Sequence, residues 1–122
     1  MPSKILVIDD SRMIRRVVAS ALERAGYAVI EAIDGVDALG ALSTEADMRL
    51  VVCDLHMPRM DGLQFIEAHK ASTAASVPVV LLTTEGYPEE IQRALSLGAK
   101  GWLLKPVRPE LLVATARGLI AS

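Results

Sequence analysis

Three aspartates stand directly after apolar segments of the sequence, where a carboxylate can be held at the edge of a protein core. Asp9 and Asp10 follow the run at residues 4–8, and Asp54 follows the run at residues 50–53. If the fold brings them together, charges about 4 Å apart would repel by roughly 4 kcal/mol at an effective dielectric of about 20. Mg²⁺ relieves such repulsion, because it prefers oxygen ligands and is typically bound through one or two carboxylates and a substrate phosphate. The acids therefore predict a Mg²⁺ site, and no His or Cys spacing favours zinc.

Thr83 and Lys105 also follow directly on apolar segments, and they extend the chemistry that the acids can perform. An aspartate carboxylate is a competent nucleophile toward phosphorus, and phosphoryl transfer requires mainly positioning and neutralisation of charge on the equatorial oxygens. We assign Asp54 as the nucleophile. Lys105 would then bind one phosphoryl oxygen, Mg²⁺ a second, and the Thr83 hydroxyl a third. The residue set predicts a site that accepts a phosphoryl group.

Alternating strand and helix patterns supply the elements that must position these residues. Short apolar runs predict five strands, at residues 4–8, 27–30, 50–53, 77–82 and 101–104. Segments with helical periodicity follow each strand, beginning near Ser11, Asp34, Asp61, Pro88 and Glu110. Such alternation predicts a doubly wound α/β fold, with a five-stranded parallel sheet flanked by five helices in one domain over residues 1–122. Ligands of such sheets bind beyond the carboxyl ends of the strands, where the candidate site residues lie.

The composition limits the classes of function. Hydrophobic residues make up 52% of the 122 residues but aromatic residues only 3%, which suits aliphatic strands buried under helices. The formal charge of −2 argues against nucleic acid as a partner. The single cysteine, Cys53, cannot form an internal disulfide, so we expect a cytoplasmic protein. We expect no membrane insertion, because the sequence lacks a signal-like start and any apolar segment long enough to span a bilayer.

Four motifs resemble the receiver domains of response regulators, and within that family the free-standing chemotaxis type. They read VIDDSRMIRR, CDLHMPRMDG, LLTTEG and GAKGWLLKP, and they cover almost the whole chain in the family's order and spacing. The resemblance implies a flavodoxin-like sheet with strand order 2-1-3-4-5, and a monomer. It also implies a two-component signalling protein, in which a sensor histidine kinase or a phosphotransfer protein phosphorylates Asp54. The only catalysis would be weak self-catalysed phosphotransfer and autodephosphorylation.

The resemblance also implies roles for residues around the acids. The backbone carbonyl of His56 would complete the metal site, and the Lys105-Pro106 peptide bond would be cis. On phosphorylation, Thr83 would move toward the phosphoryl group and Trp102 would turn inward. These movements would change the surface formed by the fourth helix, the fifth strand and the fifth helix, where a downstream protein would bind.

Three positions depart from the commonest pattern of the family. Trp102 stands where Tyr or Phe is usual, so a bulkier ring must find room at the switch. Thr84 stands where a small residue is usual, and together with Glu85 and His56 it is expected to modulate the kinetics. We expect slower autophosphorylation or hydrolysis, and unchanged rates in a Thr84→Ala variant would contradict this. Val107 replaces a frequent Phe, which bears on the packing of the last helix.

Single motifs also have purely structural interpretations. Asp10 or Ser11 alone can cap a helix, but capping does not explain a threonine and a lysine at two further strand ends. His56 is expected to act through its backbone rather than its side chain, and His69, on a predicted helix, is expected to be solvated. Four arginines of the first helix form either a solvated face or a docking surface for the kinase or phosphotransfer protein. These are Arg12, Arg15, Arg16 and Arg24.

Three other functions are open as alternatives. One is a phosphohydrolase with an aspartate nucleophile, resembling the haloacid dehalogenases, although Asp54 is followed by Leu55 and His56 rather than by the Asp-x-Asp of that class. Another is a flavin carrier of the same fold, although acids after the first strand do not suit an FMN phosphate. The third lies within the leading class, where the chain is a phosphorelay intermediate or the receiver domain of a longer regulator.

Overall fold

Five parallel strands form the sheet at the centre of the computed structural model, which describes residues 3–57, 59–72, 75–84 and 87–121. The strands are β1 Lys4–Ile8, β2 Ala28–Ala32, β3 Met48–Asp54, β4 Val79–Thr83 and β5 Gly101–Leu104. They pair in the order β2-β1-β3-β4-β5, so the strand order reverses between β1 and its neighbour β3. The predicted doubly wound α/β fold with strand order 2-1-3-4-5 is confirmed.

Five helices follow the strands, and local side-chain caps fix where three of them begin. The helices are α1 Arg12–Arg24, α2 Gly35–Thr44, α3 Gly62–Lys70, α4 Pro88–Ser96 and α5 Pro109–Ala121. The side chains of Ser11, Asp34 and Asp61 accept hydrogen bonds from backbone amides in the first turns of α1, α2 and α3. Because these amides have no partner within their own helix, the caps stabilise each start. The predicted helix starts at these three residues are confirmed.

Two glycines lie just after α1 and α4, as the sequence predicts. Gly26 has a φ of 101° and Gly98 a φ of 113°. Residues with a Cβ atom are strained in this left-handed region, so glycine allows the chain to reverse toward the next strand. The ends of α1 and α4 could therefore be predicted from these glycines in the sequence.

The strand boundaries differ by one or two residues from the sequence prediction. β2 extends to Ala32 rather than residue 30, because it pairs with β1 to the last residue of that strand. β3 begins at Met48 rather than residue 50, and its first residue also pairs with β1 before a shift in register. β4 begins at Val79 rather than residue 77, because Pro78 has no N–H to donate to a sheet.

Hydrophobic clusters cover both faces of the sheet. In β1, Leu6 and Ile8 belong to one cluster, which includes Phe65 of α3. The alternate residues Ile5 and Val7 belong to the other, together with Leu22 of α1. This two-sided burial explains why the strands are almost uninterrupted apolar runs, as expected for a parallel sheet.

The expectation that His69 is solvated is wrong. His69 is buried, its ring is stacked on Phe65, and its Nε2 lies 2.8 Å from the carbonyl oxygen of Val77. Because a carbonyl oxygen only accepts, the imidazole donates this hydrogen bond. The position follows from the short segment after α3, which brings the last turn of the helix close to the start of β4.

Within the described ranges, none of the helices has the length and apolar character needed to cross a membrane.

Candidate phosphoryl-acceptor site

The three aspartates singled out from the sequence lie together at the carboxyl edge of the sheet. One carboxylate oxygen each from Asp9, Asp10 and Asp54 can be chosen so that all lie within 4.8 Å of one another. The proximity follows from the topology, because β1 and β3 are adjacent parallel strands and both end at this edge. Asp9 and Asp54 are buried and Asp10 is exposed, so the cluster opens to solvent on the side of Asp10.

The oxygen atoms of Asp9 show that the cluster fits a cation. Asp9 Oδ1 accepts a hydrogen bond of 2.8 Å from the backbone amide of Ser11. Asp9 Oδ2 is buried and accepts no hydrogen bond within the described residues, although Lys105 Nζ lies 3.1 Å away as an ion pair. A buried carboxylate oxygen of this kind is costly unless a charged group approaches it. The candidate ligands of the cluster are carboxylate oxygen atoms, so the site suits a hard divalent cation such as Mg²⁺.

Lys105 directly follows the carboxyl end of β5, and its side chain reaches this cluster. Its Nζ lies 2.9 Å from Asp54 Oδ1, in a hydrogen bond that joins residues 51 positions apart in the sequence. The Lys105-Pro106 peptide bond is cis. The structure therefore brings Lys105, the predicted phosphoryl-binding residue, into contact with Asp54, the predicted nucleophile.

Burial and charge perturb the titration of this pair. Burial raises the pKa of Asp54; the hydrogen bond from Lys105 opposes the increase and the charge of Asp9 adds to it, so the pKa lies above its usual value. Burial lowers the pKa of Lys105, but the hydrogen bond that Lys105 donates to Asp54 and the charges of Asp54 and Asp9 outweigh this effect, so this pKa also lies above its usual value. Burial raises the pKa of Cys53 far above its usual value, so this thiol is a core residue.

Thr83 lies beside the acids, but its hydroxyl is engaged elsewhere. Thr83 is the last residue of β4, one residue beyond Leu82, which pairs with Asp54. Its side chain is buried and its Oγ1 donates a hydrogen bond of 3.1 Å to the backbone carbonyl of Thr84. The hydroxyl must therefore rotate or move before it can bind a phosphoryl oxygen.

Trp102 lies on the outer surface in this structure. It is 44% exposed, and it lines a groove with Thr84, Tyr87, Ile91 and Leu104. This groove separates the start of α4 from β5. Glu85, which we expect to influence the kinetics, lies outside the described residues.

Arg15 contacts the candidate site, although the sequence did not distinguish it from the other arginines. Its Nη1 donates a hydrogen bond of 2.8 Å to the backbone carbonyl of Asp9, and its Nε donates one of 3.0 Å to Glu31. Arg16 also pairs with Glu31, but it is exposed. Arg15 therefore fixes the backbone of a candidate metal ligand, a role that depends on the position of β2 and has no signal in sequence spacing.

Gly62 is a second residue whose importance appears only in the structure. A Cβ atom at this position would lie 2.8 Å from the backbone oxygen of Asp54 and 2.9 Å from Leu55 Cα. The Gly62 amide also donates a hydrogen bond of 2.8 Å to the Leu55 carbonyl. The start of α3 therefore packs directly on the backbone that carries Asp54. The Asp61-Gly62 pair indicates a helix start in the sequence, but not this close approach.

The side chain of His56 also makes specific contacts, although the sequence pointed to its backbone. His56 Nε2 lies 3.0 Å from Glu90 Oε2, and the imidazole ring meets the ring of Tyr87 edge to face, with centroids 4.3 Å apart. The role of its backbone carbonyl as a metal ligand stays a prediction.

Residues 5–117 match the response regulator receiver domain family. The chain belongs to this family of two-component signalling domains. It is 37% identical over 111 residues to chemotaxis protein CheY1 of Helicobacter pylori, a match that covers 89% of this chain and 90% of that protein. It is 35% identical to a chemotaxis protein CheY homolog of Campylobacter jejuni, over 89% of this chain and 85% of the relative.

Solved structures give the same family assignment. Chemotaxis protein CheY4 of Vibrio cholerae superposes with a TM-score of 0.91 at 37% identity, covering 98% of this chain and 99% of that chain. The receiver domain of NtrX from Brucella abortus superposes with a TM-score of 0.90 at 31% identity, covering 97% and 98%. The predicted family and its flavodoxin-like fold are confirmed.

Proposed function

We propose that the chain is a phosphorylation switch of a two-component system, in which Asp54 accepts a phosphoryl group from a sensor histidine kinase or a phosphotransfer protein. The observation that carries this proposal is the hydrogen bond of 2.9 Å between Lys105 Nζ and Asp54 Oδ1 beside two further acids. A helix cap or a surface loop needs no such arrangement. A nucleophilic carboxylate that reacts with a highly charged phosphoryl group needs such an arrangement of charges.

The residues have distinct tasks in this transfer. An Asp54 oxygen attacks phosphorus, the bond from phosphorus to the donor nitrogen breaks, and its electron pair leaves with the donor imidazole. Lys105 is placed to follow the new negative charge from the carboxylate to a phosphoryl oxygen. Asp9, Asp10, Asp54 and the carbonyl of His56 would hold Mg²⁺, which when bound neutralises charge on the phosphoryl oxygens. Thr83 would exchange its bond to Thr84 for one to the phosphoryl group.

The same residues would support slow loss of the phosphoryl group to water. Thr84 extends from the end of β4 toward the grooves on either side, and it lines both of them. Its side chain and that of His56 would restrict how water and small donors reach Asp54, and Glu85 is expected to influence the same kinetics. The chain would therefore catalyse its own phosphorylation and dephosphorylation only weakly.

The exposed face of α1 is proposed as the docking surface for the phosphodonor protein. Met13 is 77% exposed and Val17 55% exposed, and Arg12 and Arg16 lie beside them. A second groove continues from Met13 and Val17 to Lys105. A donor helix with an apolar stripe and acidic edges would fit this face while its histidine reaches Asp54.

The groove between α4 and β5, which Trp102 lines, is proposed as the output surface. Tyr87, Trp102 and Leu104 expose apolar area between α4 and β5, and Leu111 is 50% exposed on α5. Inward movement of Trp102 would change this surface for a downstream protein. The similarity to chemotaxis proteins over nearly their whole length supports a chemotaxis pathway. The chain would act there as a monomer in the cytoplasm, without a nucleic-acid partner. A phosphorelay intermediate would use the same site.

Intact mass spectrometry tests the acceptor directly. Incubation with acetyl phosphate and Mg²⁺ should add the mass of one phosphoryl group to the parent protein. Asp54→Asn, or excess chelator with the parent, should abolish the increase. A mass increase that persists in Asp54→Asn would assign the acceptor to another residue.

A further inference from the structure

His56 is joined to helix α4 by two side-chain contacts outside the acid cluster. Its imidazole donates to the Glu90 carboxylate over 3.0 Å and meets the Tyr87 ring edge to face. Glu90 lies in the first turn of α4, and Tyr87 is the residue that precedes the helix. The contacts therefore connect the segment that follows Asp54 to the beginning of α4.

The beginning of α4 lacks the side-chain cap that three other helix starts have. The starts of α1, α2 and α3 are capped by hydrogen bonds from Ser11, Asp34 and Asp61 side chains, whereas Tyr87 provides no side-chain cap. An uncapped first turn leaves backbone amides without protein partners, and it opens more readily than a capped one. The side chain of His56 holds this turn from outside the helix.

Tyr87 carries the connection onward to the proposed output surface. It lines the groove of about 490 Å³ that Trp102, Ile91 and Leu104 also line. A displacement of Tyr87 therefore changes the wall that Trp102 faces. His56 contacts Tyr87 on one side, and Asp54 is only two residues away from His56 along the chain.

We propose that the contacts of His56 with Glu90 and Tyr87 form a latch that holds α4 in its unphosphorylated position and is released when Asp54 is phosphorylated. The release step rests on the proposed function of Asp54. A phosphoryl group brings strong acceptor oxygens close to His56, and these compete with Glu90 for its N–H. Release leaves the start of α4 without cap or latch, so that Tyr87 can move relative to Trp102. This connection runs beside the one through Thr83.

The first test needs no phosphorylation. Glu90→Ala removes the hydrogen-bonded contact of the latch, and Glu89→Ala is the matched control, since it deletes an exposed carboxylate from the same first turn. Trp102 is the only tryptophan, so acrylamide quenching of fluorescence reports its surroundings alone. We expect a changed quenching constant in Glu90→Ala and the parent value in Glu89→Ala. Equal constants in both variants would overturn the latch.

The second test measures release. If the latch opposes the phosphorylated conformation, Glu90→Ala should be phosphorylated by acetyl phosphate about two- to fivefold faster than the Glu89→Ala control, the range expected for one exposed contact between polar side chains. In a cycle with His56→Ala, the Glu90→Ala effect should disappear when His56 is already absent. Additive effects in this cycle would overturn the proposal.

The two levels of the proposal fail in different ways. Absence of any mass increase in the parent would overturn phosphorylation of Asp54, and with it the release step. The quenching comparison would still decide whether His56 holds α4. A normal mass increase with identical rates in Glu90→Ala and Glu89→Ala would instead leave Asp54 as the acceptor and overturn release.

Discussion

The ammonium group of Lys105 lies between the carboxylates of Asp54 and Asp9, 2.9 Å from Oδ1 of the first and 3.1 Å from Oδ2 of the second. The charge of Lys105 thus offsets two buried carboxylates, one directly after β1 and one at the end of β3. The arrangement is electrostatically incomplete, because Asp10 adds a third carboxylate within 4.8 Å. A second cation in the cluster would neutralise the remaining negative charge. A phosphoryl group that draws Lys105 away would increase the repulsion among the three carboxylates.

Removal of the lysine charge should destabilise the protein in a way that Mg²⁺ can repair. In chelator, Lys105→Met should lower the free energy of unfolding by about 1–3 kcal/mol, because two buried carboxylates lose their partner. Mg²⁺ should restore most of this loss. Urea denaturation with and without Mg²⁺ measures both effects, and Lys100→Met, at an exposed lysine, is the control. An equal Mg²⁺ effect on Lys105→Met and Lys100→Met would contradict the assigned role.

Two glycine substitutions should have opposite effects on stability. Gly62→Ala should cost about 1–3 kcal/mol, since the new methyl group meets the backbone of Asp54 and Leu55. Gly40→Ala, in the interior of α2 with nothing within 4 Å of the new Cβ, should stabilise the protein by about 0.5–1 kcal/mol. Thermal or urea unfolding tests the pair. A Gly62→Ala variant as stable as the parent would show that this approach to the Asp54 backbone is not tight.

Arg15 should support metal binding without touching the metal. Arg15→Ala frees the Asp9 backbone carbonyl and should weaken Mg²⁺ binding by about tenfold, as expected when a group that orients a ligand is lost. Arg16→Ala removes the same charge and also loses a contact with Glu31, but it leaves Asp9 untouched. Calorimetric titration of both variants separates positioning from charge. Equal loss of affinity in the two variants would favour a general electrostatic effect.

Asp34 should contribute a pH-dependent part of the stability. The Arg59 guanidinium, helped by the Asp37 amide, holds the pKa of the Asp34 carboxyl below its usual value. A lowered pKa in the folded state stabilises the protein above the unfolded value of about 3.9, and this contribution is lost as the pH falls through the folded pKa. Asp34→Asn preserves a capping oxygen and removes the charge.

We therefore expect the stability difference between the parent and Asp34→Asn to be larger at about pH 6 than at about pH 3, where the parent carboxyl approaches protonation. Urea midpoints at the two pH values provide the measurement. A difference that does not change with pH would show that the ion pair with Arg59 does not stabilise the fold.

The central features of the site could be predicted from the sequence because they depend on topology. An acid, a threonine and a lysine at the ends of successive strands must converge once the strands are parallel. The helix starts at Ser11, Asp34 and Asp61 could be predicted for a local reason, since each cap acts within three residues.

Features that depend on side-chain contacts between distant elements could not be predicted. His69 follows the helical pattern of α3 and would be solvated on an isolated helix, yet the loop to β4 buries it against Val77. Arg15 is indistinguishable in sequence from Arg16, and only the position of Glu31 on β2 separates their roles. The contact of His56 with Glu90 joins residues 34 positions apart and has no periodic signal.

Fluorescence of Trp102 tests the switch most directly. Acetyl phosphate with Mg²⁺ should produce a reversible change in emission, because phosphorylation of Asp54 is expected to move the ring from its 44% exposed position. Asp54→Asn and excess chelator should each abolish this change. A change of the same size in Asp54→Asn, or phosphorylation of the parent without any change in emission, would contradict the coupling of Asp54 to the output surface.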